Sequence, residues 1–356
     1  MTGSGRFDER YLHNRDSDNG GVFIMTVKIS GTGSALPEKT VTNFDMAKLV
    51  DTSDEWIRER TGIAERRIST NDTVSTLAAK ACQNALENAG VSADEVELII
   101  VATCSPELLL PCCACQVQSI IGAPHAAAFD INAACSGFLF ALNTAYAYMN
   151  TGLYKNALIV GSEVLSKLVD WSDRSTCVLF GDGAGAAYIQ AVRDEEALCE
   201  NGRHSGIESI VQGSDGSKGM VLSCGERGVS NPFANDSEQP SKYIHMDGQE
   251  VYKFATRQVP ACISEALNKA GIGADDVDKF VLHQANVRII ESVAKRLKAD
   301  ISKFPMNLER VGNMSSATIP VLLDELNRSG QLKRGDRLVL SGFGAGLTYG
   351  ASVIVW

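Results

Sequence analysis

The chain has 356 residues, of which 44% are hydrophobic and 21% are charged, with a formal net charge of −10 at pH 7. This is ordinary globular composition, large enough for one big core or two domains, and its acidity argues against a nucleic-acid partner. Without an apolar run of membrane-span length, a secretory signal pattern or regular cysteine spacing, we expect a cytoplasmic protein with reduced thiols and no membrane partner.

The first half of the chain predicts alternating strands and helices. Residues 1–24 are polar and are expected to be a disordered extension, and a strand-like pattern begins at Thr26. Helical spacing of apolar residues predicts helices, and continuous apolar runs predict buried strands. The later predictions for this half are a helix at 73–90, a strand at 96–104, a helix at 115–123, a strand at 125–132, an apolar helix at 136–152, a strand at 156–164, and two strands joined by a glycine-rich turn at 176–191.

A polar stretch at 192–202 is interpreted as a boundary, after which the pattern starts again. The segment ALENAGVSADEVELIIVATC matches ALNKAGIGADDVDKFVLHQA closely, which indicates a duplicated α/β unit. We therefore expect two mixed-sheet halves, 25–200 and 201–356, with an apolar helix buried between the two sheets. The second half predicts helices at 250–271, 287–299 and 315–330, a strand at 277–285, and a strand, glycine turn and strand at 335–356.

Three residues are candidates for chemistry. Cys135 begins the apolar helix, where unpaired N–H groups and the helix dipole are expected to lower the pKa of a thiol. His283 lies at the end of a predicted strand, where α/β proteins place reactive groups. Asn313 precedes the helix that the repeat pairs with the one at Cys135, so the three residues can meet across a pseudo-twofold axis. Each also has a plain structural interpretation, as a buried thiol, a hydrogen-bonded histidine and a turn or capping asparagine.

Two further patterns are interpreted as structural. Cys112 and Cys115 have CxxC spacing, but no second ligand pair lies at metal-ligand spacing, so core packing is favoured and no metal is expected. The segments GDGAGAA and GFGAGLTYGA lack the phosphate-loop pattern and are interpreted as turns where backbone passes close to backbone.

Six segments, taken together and in this order, resemble the thiolase-like condensing enzymes, most closely the β-ketoacyl-acyl-carrier-protein synthase III family. They are DTSDEWIRERTGI at 51–63, DINAACSGF at 130–138, FGDGAGAA from Phe180, LHQAN from Leu282, GNMSSATIP from Gly312 and GFGAGLTYGA from Gly342. The resemblance implies a thiolase-like fold with αβαβα layers. It also implies an acyltransferase that starts fatty-acid biosynthesis by decarboxylative Claisen condensation of an acyl-CoA primer with malonyl-acyl-carrier protein.

The resemblance also implies roles for single residues. Cys135 would be the acylated nucleophile, His283 and Asn313 would donate to the enolate oxygen, and the N–H groups of Cys135 and Ala345 would form the oxyanion hole. The family often has glycine where this chain has Ala345, but an N–H donor is retained. No cofactor is implied, because the CoA thioester is a substrate.

Substrate and partner contacts follow from the same resemblance. The basic residues Arg288, Lys295 and Arg296 would dock the acidic carrier protein. Leu110 stands where the family often has a phenylalanine that enters the acyl pocket of the partner subunit of a homodimer. Primers beyond acetyl, such as propionyl or short branched chains, are therefore expected. The implied CoA contacts are Thr52, Trp56, Arg60, Arg174, Gly248 and Gln249, with the adenine between Trp56 and Arg174, and with glutamine at 249 where asparagine is more usual.

Other functions stay open at this point. A relative could condense other acyl groups in secondary metabolism or join two long acyl chains, and a non-catalytic homologue could bind acyl-CoA only. A thiolase proper is disfavoured because the C-terminal glycine loop SGFGAGLTYG contains no second cysteine. A hydroxymethylglutaryl-type synthase is disfavoured because no motif supplies its glutamate base.

Overall fold

The computed structural model describes residues 25–225, 228–229, 231–233 and 240–356. The predicted extension at 1–24 lies outside the described residues. Within the described ranges, no helix is both long and apolar enough to cross a membrane.

Two mixed sheets form the centre of the fold. The first has the strand order β1-β7-β6-β4-β5 and the second has the order β11-β12-β13-β8, while β2 pairs with β3 and β9 with β10. The strands are β1 (Met25–Ala35), β2 (Thr40–Thr42), β3 (Glu65–Arg67), β4 (Leu98–Ala102), β5 (Ala127–Ile131), β6 (Asn156–Val164), β7 (Asp182–Arg193), β8 (Gly206–Ser214), β9 (Leu222–Ser223), β10 (His245–Met246), β11 (Lys279–Leu282), β12 (Arg337–Gly344) and β13 (Thr348–Val355).

The second sheet repeats the first when it is followed from β8. In the first sheet, β1 and β6 run antiparallel to β7, and β4 runs parallel to β6. In the second sheet, β8 and β12 run antiparallel to β13, and β11 runs parallel to β12. Only β5 lacks a strand counterpart among the described residues. This shared order confirms the predicted duplicated mixed-sheet architecture, and the predicted boundary between residues 200 and 201 falls in the link between β7 and β8.

Helices complete five layers. The helices α3 and α4 cover the outer face of the first sheet, α8 and α9 cover the outer face of the second, and α5 and α11 lie between the sheets. The helices are α1 (Asn43–Met46), α2 (Asp54–Thr61), α3 (Val74–Ala89), α4 (Cys113–Ile121), α5 (Gly137–Asn150), α6 (Arg174–Cys177), α7 (Asp194–Ala197), α8 (Gly248–Ala270), α9 (Val287–Leu297), α10 (Leu308–Val311) and α11 (Thr318–Arg328).

Local signals in the sequence explain where the outer helices begin and end. Thr73 caps α3 through a reciprocal capping box with Thr76, and Gly90 ends that helix in the left-handed conformation. Asp247 caps α8, and Gly271 ends it in the same way. The two helices predicted at 73–90 and 250–271 are confirmed.

The central layer explains the continuous apolar runs. In β4, Leu98 and Ile100 face α5 while Ile99 and Val101 face α3, so both faces of the strand are covered. Phe138 of α5 belongs to the same buried cluster as residues of both sheets. A helix covered by sheets on opposite sides is apolar over most of its surface.

The prediction of two strands and a turn at 176–191 is wrong. This segment contains the end of α6 and one continuous strand, β7. A Cβ added at Gly183 would lie 2.6 Å from Met314 Sδ, and one added at Gly185 would lie 2.5 Å from Val321 N. The glycines of GDGAGAA therefore admit the start of α11 against the strand rather than forming a turn. In the second glycine-rich segment, by contrast, the predicted turn does separate β12 from β13.

Candidate active site

One cavity of about 630 Å³ brings half of the predicted site residues together. Cys135, His283, Asn313 and Ala345 all border it. The first comes from the junction of β5 and α5, the second from the end of β11, and the last two from the segments flanking α11 and following β12. Both halves of the molecule therefore contribute to one pocket. Trp56, Arg60 and Gly248 border the same cavity.

The segment at Cys135 is a tight elbow between a strand and a helix. Ala134 has a positive φ of 46°, and Cys135 lies in the 3₁₀ turn Ala134–Ser136 directly before α5. A Cβ added at Gly344 would lie 2.6 Å from Cys135 N, so only glycine admits this approach of the loop after β12. Cys135 is 9% exposed. The elbow thus presents a nearly buried thiol to the cavity.

Burial, rather than the helix terminus, dominates the acidity of this thiol. Removal of Cys135 from water raises its pKa to about 12, although a hydrogen bond with Ser315 opposes that shift. The expectation of a lowered pKa is therefore wrong, because desolvation of the thiolate outweighs the dipole of α5. The thiol is protonated at neutral pH, and a base must remove its proton before it can react as a thiolate.

His283 borders the same cavity. It follows β11, is buried, and its Nδ1 lies 2.6 Å from the hydroxyl of Thr318. Burial lowers the pKa of His283 to about 3, so the ring is neutral at physiological pH. The edge of the ring faces Phe343, with ring centroids 5.5 Å apart.

Asn313 is held by its backbone and by its side-chain oxygen. Its N–H donates to the Leu179 carbonyl at 2.9 Å, and its own carbonyl accepts from Gly181 at 3.0 Å. Its Oδ1 accepts the N–H of Ser315 at 2.9 Å. Because Oδ1 is engaged, the amide orientation is fixed and the group that Asn313 offers to the cavity is its Nδ2 amino group.

The loop that carries Ala345 is tied to the elbow of Cys135. The hydroxyl of Thr348 lies 3.0 Å from the Ala133 carbonyl and 3.1 Å from the Ala345 carbonyl. Ser136 donates to Thr348 Oγ1 at 2.7 Å. These contacts hold the backbone of the two elements in register at the edge of the cavity, as an oxyanion hole requires.

Two arginines, not one, lie on Trp56. The guanidinium carbon of Arg60 is 4.5 Å and that of Arg174 is 4.8 Å from the ring centroid. Arg174 also donates to the Asp51 carbonyl at 2.7 Å. Arg174 thus already occupies the face that was predicted to hold an adenine, so an adenine enters between Trp56 and Arg174 only after Arg174 moves.

The other predicted CoA contacts differ in their position. Thr52 Oγ1 is buried without a hydrogen-bond partner among the described residues. Gly248 borders the cavity at the start of α8. Gln249 is exposed and does not border it, and its backbone N–H donates to Asp247. The structure therefore places Gln249 beside the cavity rather than in its lining.

The predicted docking residues lie on a helix that begins beside the cavity. Arg288, Lys295 and Arg296 are exposed on α9. Asn286 and Ile289, at the start of that helix, border the cavity. Positive charge therefore lies on the helix whose N-terminal end forms part of the rim.

Leu110 does not contribute to the cavity of its own chain. Its side chain is 86% exposed, and Leu108 and Leu109 beside it are exposed as well. The three consecutive exposed leucines form an apolar stretch of the kind that occurs at interaction sites.

The CxxC pair lies at the start of α4. The N–H groups of Cys113 and Ala114 donate to the carboxylate of Asp130 at 2.8 and 2.7 Å. The positive end of this helix is thus already neutralised by a carboxylate. It does not activate Cys115, whose pKa is raised chiefly by its hydrogen bond with Cys112.

Several residues of the site were not found from the sequence. Thr318 contacts His283, and Cys104 borders the cavity with Cys135. Glu163, fully buried in β6, accepts from Ser316 Oγ at 2.9 Å and from the backbone of Cys104 at 3.1 Å. Burial raises the pKa of Glu163. The run of hydroxyl residues in GNMSSATIP was the available signal for Thr318, whereas an acidic residue in an apolar strand gave none for Glu163.

Comparisons with known proteins agree with this geometry. Residues 129–223 match the family model described as 3-oxoacyl-[acyl-carrier-protein] synthase III, and residues 267–356 match the model of its C-terminal part. The chain is 51% identical to the beta-ketoacyl-[acyl-carrier-protein] synthase III of Clostridium acetobutylicum, over 94% of this chain and 99% of that protein.

Solved structures give the same result. The 3-oxoacyl-[acyl-carrier-protein] synthase III of Aquifex aeolicus is 42% identical, with a TM-score of 0.84 over 93% of this chain and 100% of that chain. The corresponding enzyme of Thermus thermophilus is 40% identical, with a TM-score of 0.84 over 92% of this chain and 99% of that chain.

Proposed function

Because the chain belongs to the 3-oxoacyl-[acyl-carrier-protein] synthase III family, we propose that Cys135 is the thiol that carries the acyl group of the primer. The protein is a condensing acyltransferase that initiates fatty-acid biosynthesis by joining an acyl-CoA primer to malonyl-acyl-carrier protein. The observation that carries the assignment is the cavity in which Cys135, His283 and Asn313 meet at the junction of the two halves.

The first half-reaction transfers the acyl group to Cys135. The thiol gives its proton to Nε2 of neutral His283, and the resulting thiolate attacks the thioester carbonyl. The N–H groups of Cys135 and Ala345 stabilise the negative oxygen of the tetrahedral intermediate. The carbon–sulfur bond to CoA then breaks, and the CoA sulfur leaves as a thiol with the proton from His283. The products are acyl-Cys135 and CoA.

The second half-reaction forms the carbon–carbon bond. Loss of CO₂ from malonyl-acyl-carrier protein leaves an enolate, whose oxygen accepts from Asn313 Nδ2–H and from His283 after its Nε2 has taken one proton from solvent. The enolate carbon attacks the acyl-Cys135 carbonyl, and Cys135 leaves as a thiolate. The proton on His283 returns the thiolate to a thiol. One proton is consumed, which balances the loss of the malonyl carboxylate as CO₂.

The CoA thioester enters past Trp56, Arg60 and Arg174. Two guanidinium groups at this rim suit the phosphates of CoA, and the indole suits its adenine once Arg174 has moved. Thr52 Oγ1, which has no hydrogen-bond partner among the described residues, is buried and would have to be uncovered before it could bind the same ligand. Gly248 leaves the pantetheine path open, with Gln249 beside it. The reaction needs no bound cofactor, since the thioester supplies the activated carbon.

Two protein contacts complete the proposal. The carrier protein docks on Arg288, Lys295 and Arg296, whose charge complements an acidic partner although the whole chain is acidic. The exposed segment at Leu110 packs against a second copy in a homodimer and closes the acyl pocket of the partner subunit. We place the enzyme in the cytoplasm, where CoA thioesters and the carrier protein are present.

Mass spectrometry of the protein after incubation with acetyl-CoA tests the nucleophile. We expect an acetyl adduct on the peptide of Cys135 and none in Cys135→Ala. The adduct should be discharged when malonyl-carrier protein is added. A folded wild-type chain that takes up no acyl group would refute the assignment.

A panel of acyl-CoA primers tests the role of Leu110. We expect propionyl and short branched primers to react as well as acetyl-CoA, and Leu110→Phe to narrow the range toward acetyl because it fills more of the pocket. Activity with acetyl-CoA alone in the wild type would contradict this part of the proposal. Size-exclusion chromatography with light scattering tests the homodimer separately.

A further inference from the structure

Thr318 is the first residue of α11, and no solvent reaches it: its exposed fraction is 0%. Its hydroxyl oxygen makes two short contacts. It lies 2.6 Å from Nδ1 of His283 and 3.0 Å from the carbonyl oxygen of Ser315. Thr318 was not among the residues predicted from the sequence, and neither half-reaction described above uses it.

The proton count of these two contacts favours one tautomer of the histidine. A hydroxyl has a single proton, and a carbonyl oxygen can only accept. The Ser315 carbonyl accepts the backbone N–H of Thr318, and both hydroxyl contacts can be hydrogen bonds only if the proton of Thr318 also goes to this carbonyl. The contact with Nδ1 then requires that the ring donates, so the proton of neutral His283 is on Nδ1. Its Nε2 carries a free lone pair.

Ser315 is well placed to keep this arrangement. Its backbone is in the left-handed region with a φ of 47°, and its N–H is bonded to Asn313 Oδ1 at 2.9 Å. The same residue therefore orients the amide of Asn313 with its N–H and the hydroxyl of Thr318 with its carbonyl. Thr318 is fully buried and Ser315 is 2% exposed.

We propose that Thr318 is a positioning residue that holds His283 in the Nδ1–H form, so that Nε2 is ready to take the proton of Cys135. The inference rests on the proposed function, because it assigns a purpose to Nε2 only if Cys135 is acylated. It deepens that function by separating the two roles of His283. In the resting enzyme Nε2 is an acceptor, and it becomes a donor only after it has gained a proton.

The buried thiol makes this tautomer necessary for the first half-reaction. With the proton on Nε2 instead, the ring would offer an N–H to a thiol that must lose its own proton, and no base would face Cys135. With the proton on Nδ1, the sulfur–hydrogen bond breaks as the Nε2–hydrogen bond forms. The charge on the imidazolium is then shared with Thr318 through the Nδ1–H contact.

Nitrogen-15 NMR of histidine-labelled wild-type protein tests the tautomer directly. The chain has five histidines, and the signals of His283 are identified by their loss in His283→Ala. We expect the Nδ1 resonance of a protonated nitrogen and the Nε2 resonance of an unprotonated one at neutral pH. The reverse pattern in the folded wild type would overturn the inference even if Cys135 is acylated normally.

Two variants test whether the hydroxyl of Thr318 speeds acylation. Thr318→Val keeps the shape and removes the hydroxyl, and Thr318→Ser keeps the hydroxyl. In single-turnover acylation by acetyl-CoA we expect Thr318→Val to be slower by about 10- to 100-fold and Thr318→Ser to stay within about threefold of the wild type. Unchanged acylation in a folded Thr318→Val would overturn the inference. Absence of acylation in the wild type would instead refute the proposed function, and the NMR result would still decide the tautomer.

Discussion

The two halves of the molecule contain the same elbow, used in different ways. In the first half, Ala134 at a φ of 46° begins the 3₁₀ turn that leads into α5. In the second half, Ser315 at a φ of 47° begins the 3₁₀ turn that leads into α11. Non-glycine residues seldom adopt this conformation, so its presence at both junctions marks equivalent positions of the repeat.

The side chains at these equivalent positions differ in their surroundings. Cys135 borders the cavity, whereas Ser316 is 1% exposed and its hydroxyl oxygen lies 2.9 Å from both the Ala102 carbonyl oxygen and a carboxyl oxygen of Glu163. Two residues after Cys135, Gly137 is the equivalent of Thr318 in the second half. A Cβ at Gly137 would lie 2.9 Å from Ala102 Cβ, while Thr318 uses its side chain to hold His283.

In the proposed mechanism, one elbow therefore presents the reactive thiol, and the other supports the groups that act on it. The second elbow is fixed to Glu163 and to the first sheet, and from that base it orients Asn313 and His283. Duplication followed by divergence explains how a site of this kind is built at the interface of two halves, because each half supplies a rigid strand–helix junction that points at the other.

Transfer of the thiol from one elbow to the other is the most severe test of this comparison. In Cys135→Ala combined with Ser316→Cys, the chain has the same number of thiols but the nucleophile is in the second elbow. We expect acylation to fall by more than about 1,000-fold, because position 316 is buried against Glu163 and does not border the cavity. Ser316→Cys alone is the matched control, and acylation at position 316 in the double variant would show that the elbows are interchangeable.

Removal of the amide at the second elbow should separate the two half-reactions. We expect Asn313→Ala to acylate Cys135 at nearly the wild-type rate and to lose malonyl decarboxylation by about 100- to 10,000-fold, because only the enolate needs its Nδ2 donor. His283→Ala should impair both steps, since the buried thiol needs the base. Single-turnover acylation and CO₂ release measure the steps separately. A folded Asn313→Ala that no longer acylates would contradict the division of roles.

The sequence predicted this pairing of elbows better than it predicted their details. Helical spacing with a threonine cap and a terminal glycine was sufficient for α3, and the internal repeat placed Asn313 opposite Cys135. These signals are local or are repeated within the chain. The close approach of α11 to Gly183 and the contact of Thr318 with His283 join residues that are distant in the sequence, and no local pattern records which partner a glycine or a hydroxyl will meet.

The prediction of a lowered pKa for Cys135 was wrong for a similar reason. A helix N-terminus can be read from the sequence, but the extent of burial cannot, and here burial has the larger effect on the thiol. The same holds for Trp56, where the sequence identified the aromatic ring and the arginine at 174 but not the direct contact between them, nor the second contact from Arg60.

The pH dependence of alkylation measures how far the first elbow activates its thiol. Because the pKa of Cys135 is raised to about 12, its thiolate fraction increases throughout the range from pH 7 to 10. We expect the rate of Cys135 alkylation by iodoacetamide to rise about tenfold per pH unit across this range, whereas an exposed thiol levels off above about pH 9.5. Peptide mass spectrometry separates Cys135 from the other cysteines. A plateau near pH 7 would mean that the helix terminus outweighs burial.

Gly161 of β6 packs against the second elbow, and its substitution is expected to have the smallest effect of these changes. A Cβ added at Gly161 would lie 2.2 Å from the Ser316 carbonyl oxygen, and backbone at this distance must shift. We expect Gly161→Ala to lower the free energy of unfolding by about 1–3 kcal/mol, as overpacking of a core does. Gly216→Ala is the matched control, since nothing lies within 4 Å of its added Cβ. Because the second elbow orients Asn313, the shift should also slow decarboxylation more than acylation. An equal effect of Gly161→Ala on both steps would mean that the shift acts through His283, which both steps use, rather than through Asn313.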